Sequence, residues 1–128
     1  MIDHIVIGVR DLDAARAFYL GALEPLGIEI VIDRGEVVGL GSRGKPEFWL
    51  REEDAPTPVH VAFAAPDRAA VDAFHTAALA AGATDNGLPG VREIYHPTYY
   101  GAFVLDPDGH NVEAVIHTAE GPPSARTS

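Results

Sequence analysis

The chain has 128 residues, no cysteine and a formal net charge of −10. The lack of cysteine excludes disulfides and thiolate metal ligands, and it suits a reducing cytoplasm. The acidic balance argues against a nucleic-acid partner, which needs a basic surface to neutralise phosphates. The charged residues Asp3 and Arg10 bound the first apolar stretch of the chain. Because this stretch is short, we expect no signal peptide, no membrane span and a cytoplasmic location.

The first half of the chain predicts one strand, one helix and three further strands. Apolar alternation predicts a strand over residues 2–9, and Asp11 is a suitable N-cap for the helix that follows. The apolar stripe of that helix comprises Leu12, Ala15, Phe18, Tyr19, Ala22, Leu23 and Leu26, and the helix ends at Pro25 and Gly27. Strands are then predicted over residues 28–33, 37–40 and 48–51, with glycine-containing turns between them.

The second half repeats this order of elements. A strand over residues 58–65 precedes an Asp67 cap and a helix over residues 70–81. Further strands are predicted over residues 91–95, 99–106 and 111–117.

The agreement between the halves predicts an internal duplication. A shift of 56 positions places His60 on His4, Asp67 on Asp11 and Phe74 on Phe18. We therefore expect a single α+β domain of two tandem βαβββ units, at residues 1–51 and 58–118, that form a curled mixed sheet around a cleft. Residues 52–57 would be the linker and residues 119–128 a flexible tail.

The repeated histidines predict a metal site in that cleft. One face of each first strand carries large apolar side chains, which the helix is expected to cover. The other face carries His4 or His60 among small neighbours, and a pseudo-twofold axis would direct both histidines into one cleft. A lone strand histidine is more often half-buried with a backbone partner, but its repetition favours a ligand.

Glu113 is the candidate third ligand. The turn at residues 106–109 predicts a tight hairpin that sets Phe103 opposite Glu113. Glu113 then faces the cleft from an apolar strand, where an unpaired carboxylate is costly; an exposed edge-strand glutamate is the alternative. His4, His60 and Glu113 make a two-histidine, one-carboxylate set that leaves coordination positions open.

Three segments resemble the vicinal oxygen chelate superfamily, which includes glyoxalase I, fosfomycin- and bleomycin-resistance proteins and extradiol dioxygenases. They are HIVIGVRDLDAARAFY, HVAFAAPDRAAVDAFH and GAFVLDPDGHNVEAV. The resemblance implies paired βαβββ units, a homodimer and a small-molecule substrate that chelates a metal through neighbouring oxygens. By position, His4, His60 and Glu113 would hold one divalent transition metal ion, either Fe²⁺, Mn²⁺, Zn²⁺ or Ni²⁺.

At two positions this chain lacks a residue that a named enzyme of that superfamily has. Glyoxalase I has a further glutamate ligand, which is also a catalytic base, where Trp49 stands in this chain. Extradiol dioxygenases have a tyrosine at the position of Phe103. We therefore expect neither ordinary glyoxalase I chemistry nor ordinary catechol cleavage.

A cluster of aromatic and polar residues before the terminal hairpin is the candidate substrate pocket. His96 and Tyr100 are candidate catalytic acids or bases, since the loop around Pro97 could direct either side chain inward. Ordinary surface packing is the alternative for this cluster. The candidate substrate-binding residues are Trp49, Arg92, Tyr99 and Phe103. His110, which follows the turn glycine, is expected to be exposed.

The leading hypothesis is a metal-dependent enzyme of the glyoxalase/dioxygenase-like type, with lyase, isomerase and oxygenase chemistry all open. The metal would act as a Lewis acid on a small oxygenated substrate. The alternative is a protein like bleomycin-resistance proteins, which sequesters a small molecule without metal or catalysis. The charge of −10 is compatible with a cationic drug, but the intact ligand set favours the enzyme. Fosfomycin-type thiol transfer needs a more cationic pocket.

Overall fold

A computed structural model describes residues 1–118 of the chain. Its elements are β1 (Ile5–Val9), α1 (Leu12–Leu23), β2 (Glu29–Asp33), β3 (Val37–Ser42), β4 (Lys45–Glu52), β5 (His60–Ala64), α2 (Arg68–Ala80), β6 (Thr84–Val91), β7 (Tyr100–Leu105) and β8 (Asn111–Ile116). A short 3-10 helix, Glu24–Leu26, follows α1. The tail predicted at residues 119–128 lies outside the described residues. Neither helix of the described part is long and apolar enough to cross a membrane.

The strands form two four-stranded mixed sheets with the same internal order. The sheet of the first unit has the order β1-β4-β3-β2, and that of the second unit has the order β5-β8-β7-β6. In each sheet the first strand of the unit pairs in parallel with the last, and the helix lies in the crossover that such a pair requires. The predicted α+β class and the duplicated βαβββ unit are therefore confirmed.

Both helices begin at the predicted aspartate caps. The side chain of Asp11 accepts a hydrogen bond from the Ala14 amide at 3.0 Å, and Asp67 accepts one from the Ala70 amide at 2.8 Å. Each cap contributes about 1 kcal/mol by satisfying an amide that has no partner within the helix. The two repeats thus share their capping chemistry as well as their topology.

The core lies between the two helices and the sheet faces that they cover. In β1, Ile7 and Val9 are buried, whereas Val6, which precedes Ile7, is 44% exposed. The strand therefore has the predicted alternation, with one covered and one uncovered face. The predicted apolar stripe of α1 is buried from Leu12 to Leu23.

The sixth strand lies upstream of its predicted position. The sequence predicts a strand at residues 91–95, but β6 covers Thr84–Val91, and the Arg92 carbonyl accepts a hydrogen bond from the Tyr95 amide in a turn. The prediction was wrong because β6 has the sequence TDNGLPGV, whose residues have low strand propensity. Its pairing to β7 is also irregular, with register shifts around Gly87.

Three side-chain contacts fasten the β7–β8 turn of the second unit to the first unit, and we call them the clasp. The Tyr19 hydroxyl donates to Asp106, His110 Nε2 donates to the Gly8 carbonyl at 2.8 Å, and the Arg10 guanidinium lies 3.2 Å from Asp108. Near the clasp, the rings of Phe48 and Phe63 also join the units, with their centroids 5.0 Å apart.

His110 is buried in the clasp, and the prediction that it is exposed was wrong. It is 1% exposed, and its Nδ1 accepts the Val59 amide at 3.0 Å while Nε2 donates to the Gly8 carbonyl. Both ring nitrogens are therefore satisfied by backbone groups. The position directly after a turn glycine indicated exposure to solvent. That local pattern carries no information about packing against the other unit, and it is this packing that buries His110.

Candidate functional site

A buried carboxylate in β8 is the centre of the candidate site. Glu113 is 1% exposed. Its Oε1 accepts a hydrogen bond from His60 Nε2 at 2.8 Å, and its Oε2 accepts one from the Tyr99 hydroxyl. These two bonds offset part of the cost of burying the carboxylate. The His60 side chain is 53% exposed, so solvent and small molecules reach the site from that side.

The strand register explains how this site is assembled. Glu113 pairs with Ala62 of β5 and with Phe103 of β7, the latter as the hairpin turn predicted. Gly101 provides the space for the tyrosine. A Cβ atom on this glycine would lie 3.2 Å from Tyr99 Cε1 and 3.3 Å from Glu113 Oε2.

Tyr99 is a hydrogen-bond donor in this arrangement. Burial, followed by the hydrogen bond to Glu113, raises the pKa of Tyr99 well above its ordinary value, while the Arg92 charge opposes this shift. The phenol therefore stays protonated at neutral pH and donates to the carboxylate. The sequence predicts Tyr99 as a substrate contact but does not indicate its contact with Glu113.

His4 does not join His60 and Glu113 within one chain. It precedes β1, its Nδ1 donates to the Asp3 carboxylate at 2.7 Å, and its side chain is 53% exposed. Among residues 1–118, no three His, Asp or Glu side chains are grouped so that they could hold a metal ion. The structure therefore brings together two of the three predicted ligands.

The two predicted acid–base candidates lie in different places. The His96 ring contacts Tyr99, with centroids 5.5 Å apart, and its Nε2 is 2.7 Å from Nδ1 of His117. The Tyr100 hydroxyl instead donates to Asp72 of α2 at 2.6 Å. Because β7 alternates, Tyr100 faces the helix while Phe103 faces away from it. His96 therefore lies beside the candidate site and Tyr100 does not.

The other predicted substrate contacts in the second unit line a pocket of about 310 Å³. The Arg92 guanidinium lies over the Phe103 ring, 5.4 Å from its centroid. The His60 ring is 6.1 Å from the same centroid, so Phe103 connects the pocket to the Glu113 site. Two asparagines also line this pocket, Asn86 and Asn111. The sequence pattern did not indicate Asn86, because β6 lies upstream of the strand predicted at residues 91–95.

Trp49 occupies the position in the first unit that corresponds to Glu113. Trp49 pairs with Val6 of β1, and Glu113 pairs with Ala62 of β5. Ala62 follows Val6 by the repeat interval of 56 residues. A Cβ atom on Gly39 would lie 3.1 Å from Trp49 Cε3, so the indole ring lies on this glycine. The first unit therefore has an aromatic ring where the second has a carboxylate.

Solved structures with this fold cover most of the chain. A glyoxalase/bleomycin resistance protein from Albidiferax ferrireducens is 29% identical with a TM-score of 0.78, over 88% of this chain and 96% of that one. An enzyme of the glyoxalase/bleomycin resistance protein/dioxygenase family from Burkholderia phytofirmans is 25% identical with a TM-score of 0.69, over 89% and 96%. A fosfomycin resistance protein from Mesorhizobium loti shares the fold at 18% identity and a TM-score of 0.68, over 100% and 98%. No curated protein matches the chain.

The sequence profile of one superfamily matches nearly the whole described chain. The match covers residues 1–114 and includes both βαβββ units as far as the middle of β8. His60 and Glu113 both lie within it. The chain therefore belongs to the Glyoxalase/Bleomycin resistance protein/Dioxygenase superfamily.

Proposed function

We propose that this chain is a metal-dependent enzyme that acts on a small molecule with two neighbouring oxygens, by lyase, isomerase or oxygenase chemistry. The observation that carries the proposal is the buried Glu113 carboxylate, held between His60 and Tyr99. The scaffold does not require a carboxylate at this position, because Trp49 occupies the corresponding position of the first unit. A buried charge that the fold does not need indicates a chemical use.

The residues fit a divalent transition metal ion. His60 Nε2 and Glu113 Oε1 lie 2.8 Å apart, and ligands bonded to one ion at about 2.0–2.2 Å are themselves roughly 3 Å apart. Imidazole and carboxylate ligands suit Fe²⁺, Mn²⁺, Zn²⁺ and Ni²⁺. Such an ion supplies Lewis acidity toward the two substrate oxygens.

The proposed third ligand is His4 from a second copy of the chain, in a cytoplasmic homodimer. The His4 ring is more than half exposed and therefore accessible to another protein. Nearby, Ile2 and Val6 are 66% and 44% exposed. Apolar side chains of this kind favour burial against a partner.

Other residues of the site would position the substrate and its protons. Tyr99, protonated at neutral pH, holds one oxygen of Glu113 and leaves the other to His60. His96 is the better placed of the two acid–base candidates, because its ring contacts Tyr99. Trp49 would form an apolar wall on the uncovered face of the first unit.

The competing proposal is a protein that sequesters a small molecule without a metal. One observation favours it: no three metal-ligating side chains converge within the described chain. The pocket beside Arg92 would then be the binding site. This alternative predicts that ligand binding does not depend on metal.

The test is the metal content of the purified protein and its variants by elemental mass spectrometry. We expect near-stoichiometric metal in the wild type. Bound metal should be lost, through a fall in affinity of about 100-fold or more, in His60→Ala, which removes a ligand atom, and in Glu113→Gln, which replaces a charged ligand with a neutral amide. Trp49→Leu is the matched control at the corresponding position and should retain the metal. A wild type that stays metal-free after reconstitution would support sequestration instead.

Co-expression of two defective chains tests whether the site spans two copies. His4→Ala and Glu113→Gln each remove a ligand, but a mixed dimer would assemble one intact site from the two chains. We expect mixed dimers to recover metal at one site of two. Metal-free mixed dimers would contradict the proposed homodimeric site.

A further inference from the structure

We propose that Arg92 recognises a single carboxylate group on the substrate, at the far side of Phe103 from the His60–Glu113 pair. This inference rests on the proposed function, since it names the chemical class of the substrate for the same site. It predicts a small molecule with neighbouring oxygens at one end and one carboxylate at the other.

The backbone of β6 is shaped to hold the Arg92 side chain. A Cβ atom on Gly87 would lie 3.2 Å from Nη2 of the guanidinium, and one on Gly90 would lie 3.1 Å from Nη1. Gly87 also has a φ of +157°, which L side chains rarely adopt. The Leu88 carbonyl accepts a hydrogen bond from Nη2 at 2.6 Å. These contacts orient the guanidinium in the absence of substrate.

The charge of Arg92 is not neutralised within the described chain. Arg10, Arg16 and Arg51 each have a carboxylate partner, whereas Arg92 forms no salt bridge with any of residues 1–118. Arginine has five N–H donors, and the Leu88 carbonyl uses one of them. In a chain with a net charge of −10, a half-buried guanidinium without a carboxylate beside it is a site for an external anion.

The composition of the pocket favours a carboxylate over a phosphate. Arg92 is the one cation among the residues that line it, and the Asn86 and Asn111 amides, 3.3 Å apart, supply further neutral hydrogen-bonding groups. One guanidinium balances one negative charge, and its planar fork matches the two oxygens of a carboxylate. A phosphate dianion would leave a second charge uncompensated.

The strand register sets the length of the substrate. Glu113 pairs with Phe103, and Phe103 pairs with Gly87, so these residues form one row across three strands. Two strand spacings separate the ends of this row by about 10 Å. A planar or apolar body lying on the Phe103 ring would therefore join the chelating oxygens to the carboxylate.

The test compares two ligands that differ in one charge. The probe is 3,4-dihydroxybenzoate, and 3,4-dihydroxybenzamide is its uncharged counterpart. Isothermal titration calorimetry would measure both with the metal-free and the Mn²⁺-loaded full chain. We expect the wild type to prefer the acid by about tenfold or more, as charge-assisted hydrogen bonds imply, and Arg92→Gln to remove this preference.

Arg68→Gln is the matched control. The Arg68 guanidinium also lies over an aromatic ring, 4.7 Å from the Tyr100 centroid, but on the helix side of the sheet. This variant should keep the preference for the acid. Equal affinities for acid and amide in the wild type, no binding of either to the loaded protein, or the same loss in Arg68→Gln would overturn the inference. If the proposed metal function is wrong, the affinities for both ligands will instead be the same in the metal-free and the Mn²⁺-loaded chain.

Discussion

The uncovered faces of the two sheets show how far side chains diverge on a repeated backbone. In the first unit, Val6 and Trp49 are paired and make an apolar surface. In the second unit, Ala62 and Glu113 occupy the same register, and the carboxylate holds hydrogen bonds from His60 and Tyr99. The fold therefore fixes where a side chain projects, and a few substitutions at those positions decide whether a sheet face carries ionisable groups or only apolar ones.

The junction between the units differs in the same way at its two ends. Tyr19 and His75 are corresponding helix residues, but Tyr19 donates to Asp106 of the other unit, while His75 donates to Asp85 of its own unit at 2.8 Å. The clasp therefore exists at one end. A pocket of about 310 Å³ also lies between the units, and its lining includes Leu26, Ile28, Leu40, Phe48 and Phe63.

Removing a clasp residue should destabilise the chain most. His110→Ala removes the partners of the Gly8 carbonyl and the Val59 amide, and we expect the free energy of unfolding to fall by about 2–4 kcal/mol. Urea titration followed by circular dichroism measures it. His117→Ala, at an exposed histidine of the same unit, should cost less than about 1 kcal/mol. Equal losses in both variants would show that the clasp is not what joins the units.

A second experiment adds one methyl group to each uncovered face. Gly101→Ala crowds Tyr99 and Glu113, and we expect metal affinity to fall about tenfold, as for other groups that orient metal ligands. Gly39→Ala crowds Trp49 in the first unit and should leave metal affinity unchanged. Competition with a fluorescent chelator measures both. An equal effect of the two alanines would remove the proposed distinction between the faces.

At alkaline pH we expect a more modest loss of the stability that the clasp provides. Burial, followed by the charge and hydrogen bond of Asp106, raises the pKa of Tyr19 well above 10. The unfolded chain then releases this proton first, so the stability that Tyr19 contributes is present below pH 10 and is lost as the pH rises beyond it.

The matching variant is Tyr19→Phe. We expect it to lower the free energy of unfolding by about 1 kcal/mol at pH 8. Above pH 10, the free energy of unfolding should also fall less steeply with pH, by the equivalent of about one proton. Urea titrations between pH 8 and about pH 11 measure both effects. Tyr95→Phe, at a tyrosine that is 61% exposed, should leave the slope unchanged. An unaltered slope in Tyr19→Phe would contradict the assigned shift.

Local sequence patterns predicted much of the fold because they act over short distances. The repeat interval, the Asp11 and Asp67 caps and the Phe103–Glu113 register were all readable from periodicity and turn chemistry. The β6 strand was missed because its glycines and proline carry no strand signal. The burial of His110 was missed because it depends on the other unit.

The candidate site was predictable to the same extent. Strand parity placed His60 and Glu113 on one face, and the structure brings them together. The contact of Tyr99 with Glu113 depends on the loop before β7 and on the space at Gly101, which alternation does not describe. The orientation of Tyr100 toward α2 depends on where β7 begins, and strand boundaries are the part of a pattern that is read least accurately.

The clasp joins the two units directly before β8, the strand that carries Glu113. His110 and Tyr19 fix one end of their shared boundary through buried hydrogen bonds. The start of β8 is therefore held by residues of the first unit, Gly8 and Tyr19 among them. The placement of Glu113 in the second unit thus depends on an intact first unit, so neither βαβββ unit is expected to work as an isolated half.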